Sequence, residues 1–310
     1  MPSNSTADIR LINQTFLDQL ANPSMAKSAA DAANDFTRLK LREDGIYRKI
    51  MPPLEIGNDE LDRSANSDKP MKLVEREVDS PAAVSLPFNS LPTNINIRGH
   101  RYPVFFERIS SPRFYKDVNE LRTYDMDIRQ VLSDNAIKDM LAQEDGTFLR
   151  AVNTILGSIN TTVTFTGATQ WVGFSGGLSR INWMESKKIL PRTFAHLETH
   201  TVLMNNVTVK EIQKWDRLEA GGDLSQQLLH KGFNLTELDN TQIVVTIKRD
   251  LVPDDTIFHF ADPKFIGKSY ILDDVTMYIE RKAGMLEYYA YETVGGAIGN
   301  AAGVARADFA

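Results

Sequence analysis

Apolar residues recur every three or four positions in two stretches near the start of the chain and in a longer one in its middle. Ile9, Ile12, Phe16 and Leu20 make one stripe, which predicts a helix cut off at Pro23. Met25, Ala29, Ala32, Phe36 and Leu39 make a second, narrow and rich in Ala. A face of that kind suits docking better than nucleating a core, so an arm lying along the body or along a neighbouring subunit is expected. The longest pattern runs from Asp127 to Leu156, through Ile128, Val131, Leu132, Ile137, Met140, Leu141, Phe148, Leu149, Val152, Ile155 and Leu156. It predicts a rod of about 45 Å, kinked or broken at Gly146.

Between these helical parts the period changes. From Gly57 to Arg113 the chain is polar and punctuated by prolines at 81, 87, 92 and 103, with strand-like runs in "MKLVEREVD" and "INIRGHRYPVFFERI". Leu73, Glu75 and Glu77 share one face of the first run, Val74, Arg76 and Val78 the other. Prolines at this density suit an exposed edge, and a long connection of this kind suits a projection. Beyond the long helix the pattern alternates. A strand is expected at Thr162–Thr166, a helix at Ser179–Leu190 stopped by Pro191, and a short strand at Thr201–Met204. Thr208 and Glu211 form a capping-box pattern. Strands follow in "IVVTIKR", "DTIFHF" and "SYIL", then a pair, Val275–Lys282 and Met285–Thr293, turning at Ala283-Gly284. The class is α+β, with helices and strands segregated.

Charge sharpens the reading of the projection. Residues 59–79 carry seven acids against four bases, whereas residues 94–116 carry Arg98, Arg101, Arg108, Arg113 and Lys116 against Glu107 alone. Two readings stay open: a solvated hairpin whose strands pair by opposite charge, and a flap that presents charged edges to neighbouring copies.

The 310 residues are 42% hydrophobic and 25% charged, with net charge −6. This is ordinary globular composition, and its sign argues against a protein that grips nucleic acid through phosphates. With no cysteine, disulfides and thiolate metal sites are excluded. The start of the chain lacks the pattern of a secretory signal, and no apolar run is long enough to span a membrane. A soluble protein of a reducing interior is expected.

Candidate chemistry is sparse. In "HLETH", His196 and His200 are four apart, but Leu197 stands where a zincin has its Glu. If the segment is a strand, the two histidines share a sheet face without a third ligand. "FSGGLSR" lacks the Lys-Ser/Thr of a phosphate loop, and no nucleophile elbow is present. Asp254-Asp255 and Asp273-Asp274 read as turn residues. No constellation demands catalysis, no cofactor is implied, and an enzyme is not expected.

The order of parts resembles the major capsid protein of tailed bacteriophages. Three stretches carry the resemblance: "LREDGIYRKIMPP" at 41–53, "YDMDIRQVLSDNAIKDML" at 124–141 and "YYAYETVGGAIGNAAGVA" near the end. It implies an N-terminal arm (1–56), an extended β-hairpin loop (57–113), a peripheral domain with a long spine helix (114–159), an axial domain (160–270), and terminal strands and tail of the peripheral domain (271–310). The tail is expected to be tied down, with Ile298, Val304 and Phe309 as anchors. The resemblance further implies hexamers and pentamers in an icosahedral shell, assembled in the bacterial cytoplasm around packaged double-stranded DNA. Partners would be other copies of the chain, with portal, scaffold and decoration proteins and no membrane. Phe16, Leu20, Phe36, Glu75, Glu77, Arg98, Arg101, Arg108 and Phe309 are the candidate inter-subunit contacts. Some relatives lock the shell through a Lys–Asn bond. Lys69 and Lys72 could supply the amine, but no acceptor Asn can be assigned. Three other readings are an encapsulin-type compartment shell, a metal-dependent enzyme centred on His196 and His200, and a tube or decoration protein.

Overall fold

The first apolar stripe folds as expected, into helix α1 (Thr6–Ala21), and its Phe16 and Leu17 are buried against the chain's own body. The computed structural model describes residues 6–21, 25, 45–64, 66, 68–76, 85–88, 90–91, 99–122, 128–159, 170–215, 237–282 and 284–309. The second stripe, apart from Met25, and the strand expected at Thr162–Thr166 lie outside them.

The long pattern forms one helix (Ile128–Ile159, 32 residues), here called the spine. It passes through Gly146 without a break. A mid-helix Gly costs about 1 kcal/mol relative to Ala, and packing on either side outweighs that. The spine serves two cores in turn. Leu132, Ala136, Ile137, Met140 and Leu141 pack with Phe16, Leu17, Val118 and Leu121 against Val275, Met277, Ile279, Leu286 and Tyr288. About two turns further, Phe148, Leu149, Val152 and Leu156 enter a second core with Val202, Leu203, Phe258, Phe260 and Val304. Glu144 and Asp145 fall between the two apolar blocks, and both are buried.

Each core lies on one sheet. The first has seven strands: β1 (Leu54–Glu55), β2 (Asp62–Arg63), β3 (Pro70–Arg76), β4 (His100–Ser110), β5 (Phe114–Asp117), β11 (Gly267–Lys282) and β12 (Met285–Ile298). Their order is β1-β11-β12-β4-β3-β2, with β5 also on β12. β11 and β12 form an antiparallel hairpin that turns at Gly284, where φ is +83°, the left-handed region that Gly occupies without strain. Asp273-Asp274 sits in a register irregularity of β11 rather than in a turn. The second sheet has six strands, in the order β6 (Trp171–Phe174), β13 (Val304–Phe309), β10 (Thr256–Phe260), β7 (Thr201–Asn205), β9 (Thr241–Thr246) and β8 (Glu237–Leu238). β7 and β10 are buried at every residue, as strands covered on both faces must be.

The last strand corrects the expected division of the chain. Residues 271–298 belong to the seven-stranded sheet, but β13 crosses into the six-stranded one between β6 and β10. The tail is tied down, with Val304 and Phe309 buried and Ile298 packed beside them. The small residues before it are needed for that crossing. A Cβ on Gly296 would lie 2.0 Å from the Tyr47 hydroxyl, and one on Gly299 2.5 Å from the Tyr102 ring.

The capping-box pattern at Thr208 is not used. The helix Thr208–Gln213 forms, but Asn205 Oδ1 accepts from the Val207 and Thr208 amides (3.0 and 2.7 Å), and Thr208 Oγ1 accepts from the Asp255 amide instead. At the helix Arg180–Lys187, Ser179 caps as its sequence position suggests, accepting from Asn182.

Candidate functional site

The seven-stranded sheet extends outward through β3 and β4. The half of β4 nearer the body pairs with β12 from Phe106 to Ser110, and the outer half pairs with β3 from Met71↔Phe105 to Arg76↔His100. Tyr102 and Arg76 brace this ladder against the crossing segment, where Arg76 Nη1 donates to the Gly299 carbonyl at 3.0 Å.

Opposite charges pair along it, but only one of three pairs follows the charge split between residues 59–79 and 94–116. Glu75 and Arg101 are cross-strand register partners, 2.6 Å apart and both well exposed. Lys69 meets Glu107 at 3.3 Å, and Lys72 meets Glu60 at 3.2 Å. Exposed pairs like these contribute under about 1 kcal/mol each, so they fix register more than stability. Arg108 lies over the Tyr291 ring at 5.4 Å. Glu77, Arg98 and Phe36, and the side chain of Leu20, lie outside the described residues.

Two candidate contacts are corrected by burial. Phe16 belongs to the core beneath the seven-stranded sheet, and Phe309 stacks on Phe174 at 5.4 Å inside the second core. An aromatic side chain this buried in its own chain has little area left for a neighbour. The projection offers apolar residues that the sequence reading passed over. Phe88 is fully exposed within a turn in which the Ser90 amide donates to the Pro87 carbonyl, and Leu91, just after that turn, is 90% exposed. The available signal was large apolar residues scattered in a polar stretch, "SLPFNSLP".

His196 and His200 do not share a strand face. Both precede β7 in irregular backbone; His196 has φ +50° and its Nδ1 is 3.1 Å from the Pro191 carbonyl, while His200 Nδ1 is 3.1 Å from Thr201 Oγ1. Among the described residues no three His, Cys, Asp or Glu side chains gather as a metal site, and no helix is long and apolar enough to cross a membrane.

Behind the projection, three elements meet through buried charge. The short helix Ile46–Ile50 lacks a capping side chain of its own, and spine residue Asp145 accepts from the Tyr47 amide at 2.9 Å. The other Asp145 oxygen takes Lys248 Nζ at 2.7 Å. Beside it, Arg48 donates from Nε and Nη2 to Glu144 (3.0 and 2.8 Å), and from Nη2 also to Glu292 on β12 (2.6 Å). Burial pulls the Arg48 guanidinium down, but the two carboxylates more than offset this and the net shift is upward. Burial, reinforced by Glu144, pushes Glu292 up to about 8. Burial also drives the Tyr47 hydroxyl, which contacts Ser269 Oγ at 2.5 Å, up to about 12.

No family model and no curated protein matches the chain, but solved structures do. The mature capsid of bacteriophage PhiM1 is 6% identical with a TM-score of 0.56, over 86% of this chain and 87% of that one. The capsid of a native GTA particle is 14% identical with a TM-score of 0.54, over 85% and 89%. A virus-like particle from Pyrococcus furiosus is 12% identical with a TM-score of 0.50, over 89% and 98%. At such identities the likeness lies in the fold. The chain has the tailed-phage major capsid fold, which is also similar to that of the Pyrococcus furiosus virus-like particle.

Proposed function

We propose that this chain is the major capsid protein of a tailed phage, a structural protein rather than an enzyme. Copies assemble as hexamers and pentamers into an icosahedral head shell that encloses double-stranded DNA. The observation that carries this is the capsid fold over most of the chain, joined by the exposure of Phe88 and Leu91. Such exposure serves no purpose in an isolated subunit, and in a lattice a neighbouring copy covers it. Glu75, Arg101 and Arg108 would then align the projection on its neighbour, and many weak contacts add up over a closed shell. A net charge of −6 lets the lining hold DNA without gripping it. Portal, scaffold and decoration proteins would be the remaining partners.

Electron microscopy of the expressed protein tests this, with closed shells or rings of six as the expected result. The matched variant replaces residues 77–99 by Asn-Gly, a two-residue turn suited to closing the ladder at the Arg76↔His100 pair. It should stay folded and form no shells. Normal shells from that variant would refute the role given to the projection. The likeness to a virus-like particle keeps an encapsulin-type compartment as the second reading, and purification with cargo enzyme instead of DNA would favour it.

A further inference from the structure

We propose that Arg48, Glu144 and Glu292 form a proton-loaded joint, in which one proton shared by the two carboxyls holds the Ile46–Ile50 helix, the spine and β12 together and its loss at alkaline pH loosens them. The inference concerns the single subunit and stands apart from the capsid reading.

The geometry calls for the proton. Two carboxylates and one guanidinium are buried together, Arg48 being 4% and Glu292 0% exposed. Glu144 receives two donors from Arg48, whereas Glu292 receives one, at Oε2. Among the described residues no hydrogen-bond donor reaches Glu292 Oε1, and Arg48 Nη1 reaches no acceptor. Glu144 Oε1 and Glu292 Oε2 accept from the same nitrogen, Arg48 Nη2, at 2.8 and 2.6 Å, which brings the two carboxyls to one point. Fully ionised, the trio would bury an excess negative charge on two carboxylates that share one guanidinium, which a buried site stabilises poorly. A proton on Glu292 turns one acceptor into a donor and neutralises the trio.

The other charged and titratable groups nearby do not supply that neutralisation. On the spine, Asp145 is held by Lys248 and the Tyr47 amide. The Tyr47 hydroxyl is taken by Ser269. On β4 the residue opposite Glu292 is Ile109, and on β11 Asp273 accepts from Thr293 Oγ1 at 3.0 Å. A surface hollow of about 460 Å³, walled by Arg48, Pro52, Leu54, Glu55 and Ile271, lies on the Arg48 side of the joint, and neither Glu144 nor Glu292 lines it.

The sign follows from linkage. Glu292 titrates higher folded than unfolded, so its contribution is complete below the unfolded value and is lost as pH rises through the folded one. In the unassembled wild-type chain, Tm should fall on the order of 5 °C between about pH 4.5 and about pH 8 and level off above that, and Glu292→Gln, which keeps both polar atoms, should remove most of that fall. Infrared spectra near neutral pH should show a protonated carboxyl band that is absent in Glu292→Gln. Hydrogen exchange at residues 46–51, corrected for intrinsic rate, should rise in the wild type alone. The inference is overturned if no protonated carboxyl is seen near neutral pH, or if Glu292→Gln loses as much Tm as the wild type. Should the variant not fold, the wild-type band and its loss on alkaline titration decide the matter.

Discussion

The two cores that the spine connects treat a buried ionisable group in opposite ways. Under the seven-stranded sheet, Glu292 sits in a network with Arg48 and Glu144, and three separate elements contribute to it. In the six-stranded sheet, His259 on β10 is also wholly buried, but neither ring nitrogen has a hydrogen-bond partner among the described residues, and its nearest aromatic neighbour is Trp183. Burial, with a smaller contribution from Lys187, drives His259 down to about 3, so it is neutral. The first arrangement joins elements and is sensitive to losing a proton. The second fills space inside one sheet and is sensitive to gaining one. A network specifies how separate pieces meet, whereas a neutral imidazole behaves as a flat apolar side chain.

The largest expected effect follows from breaking the network. Arg48→Ala leaves the buried Glu144 carboxylate without its cation and Glu292 without its donor, and should cost about 3–5 kcal/mol in denaturant unfolding. Arg48→Met with Glu144→Leu removes the buried ion pair, leaves Glu292 neutral with its proton, and should restore much of that loss. If the double variant were no better than Arg48→Ala, packing rather than charge would be what Arg48 supplies. Next in size is the acid limb of the other core. The depressed His259 contributes stability that is complete above about pH 6.5 and lost as pH falls toward about 3. His259→Leu should therefore change little at neutral pH and flatten the loss on the acid side, read as Tm against pH. Smallest for the fold is the projection. Glu75→Lys with Glu77→Lys should cost under about 1 kcal/mol of subunit stability, yet impair shell formation in a salt-dependent way, seen by light scattering at low and high ionic strength. Equal impairment at both would remove charge from the account of assembly.

Much of the architecture is legible in local pattern. Period-3.6 stripes mark the first helix and the spine, because a helix packed on one side must repeat its apolar residues at that spacing. Val275, Met277 and Ile279 mark the buried face of β11 by simple alternation. The charge split marks one pair across β3 and β4, Glu75 facing Arg101. Other features leave no local trace. Arg48 and Glu292 are 244 positions apart, and neither stands in a motif. The Thr208–Glu211 pattern was present, yet Asn205 took the cap because a tight turn out of β7 places its carboxamide over the helix start.

The sequence by itself determined the first helix, the spine and the β11–β12 hairpin, the absence of disulfide chemistry, and the polarity of the projection. All of these are set by neighbours within a few residues. Only the tertiary structure decided that β13 enters the second sheet, that Phe16 and Phe309 serve the core, and that Glu144 and Asp145 on the spine receive Arg48 and Lys248. Each depends on groups far apart in the chain meeting in a space that water cannot enter. There a charge or a ring is stabilised only by what has been brought beside it, and no reading of local spacing reports that.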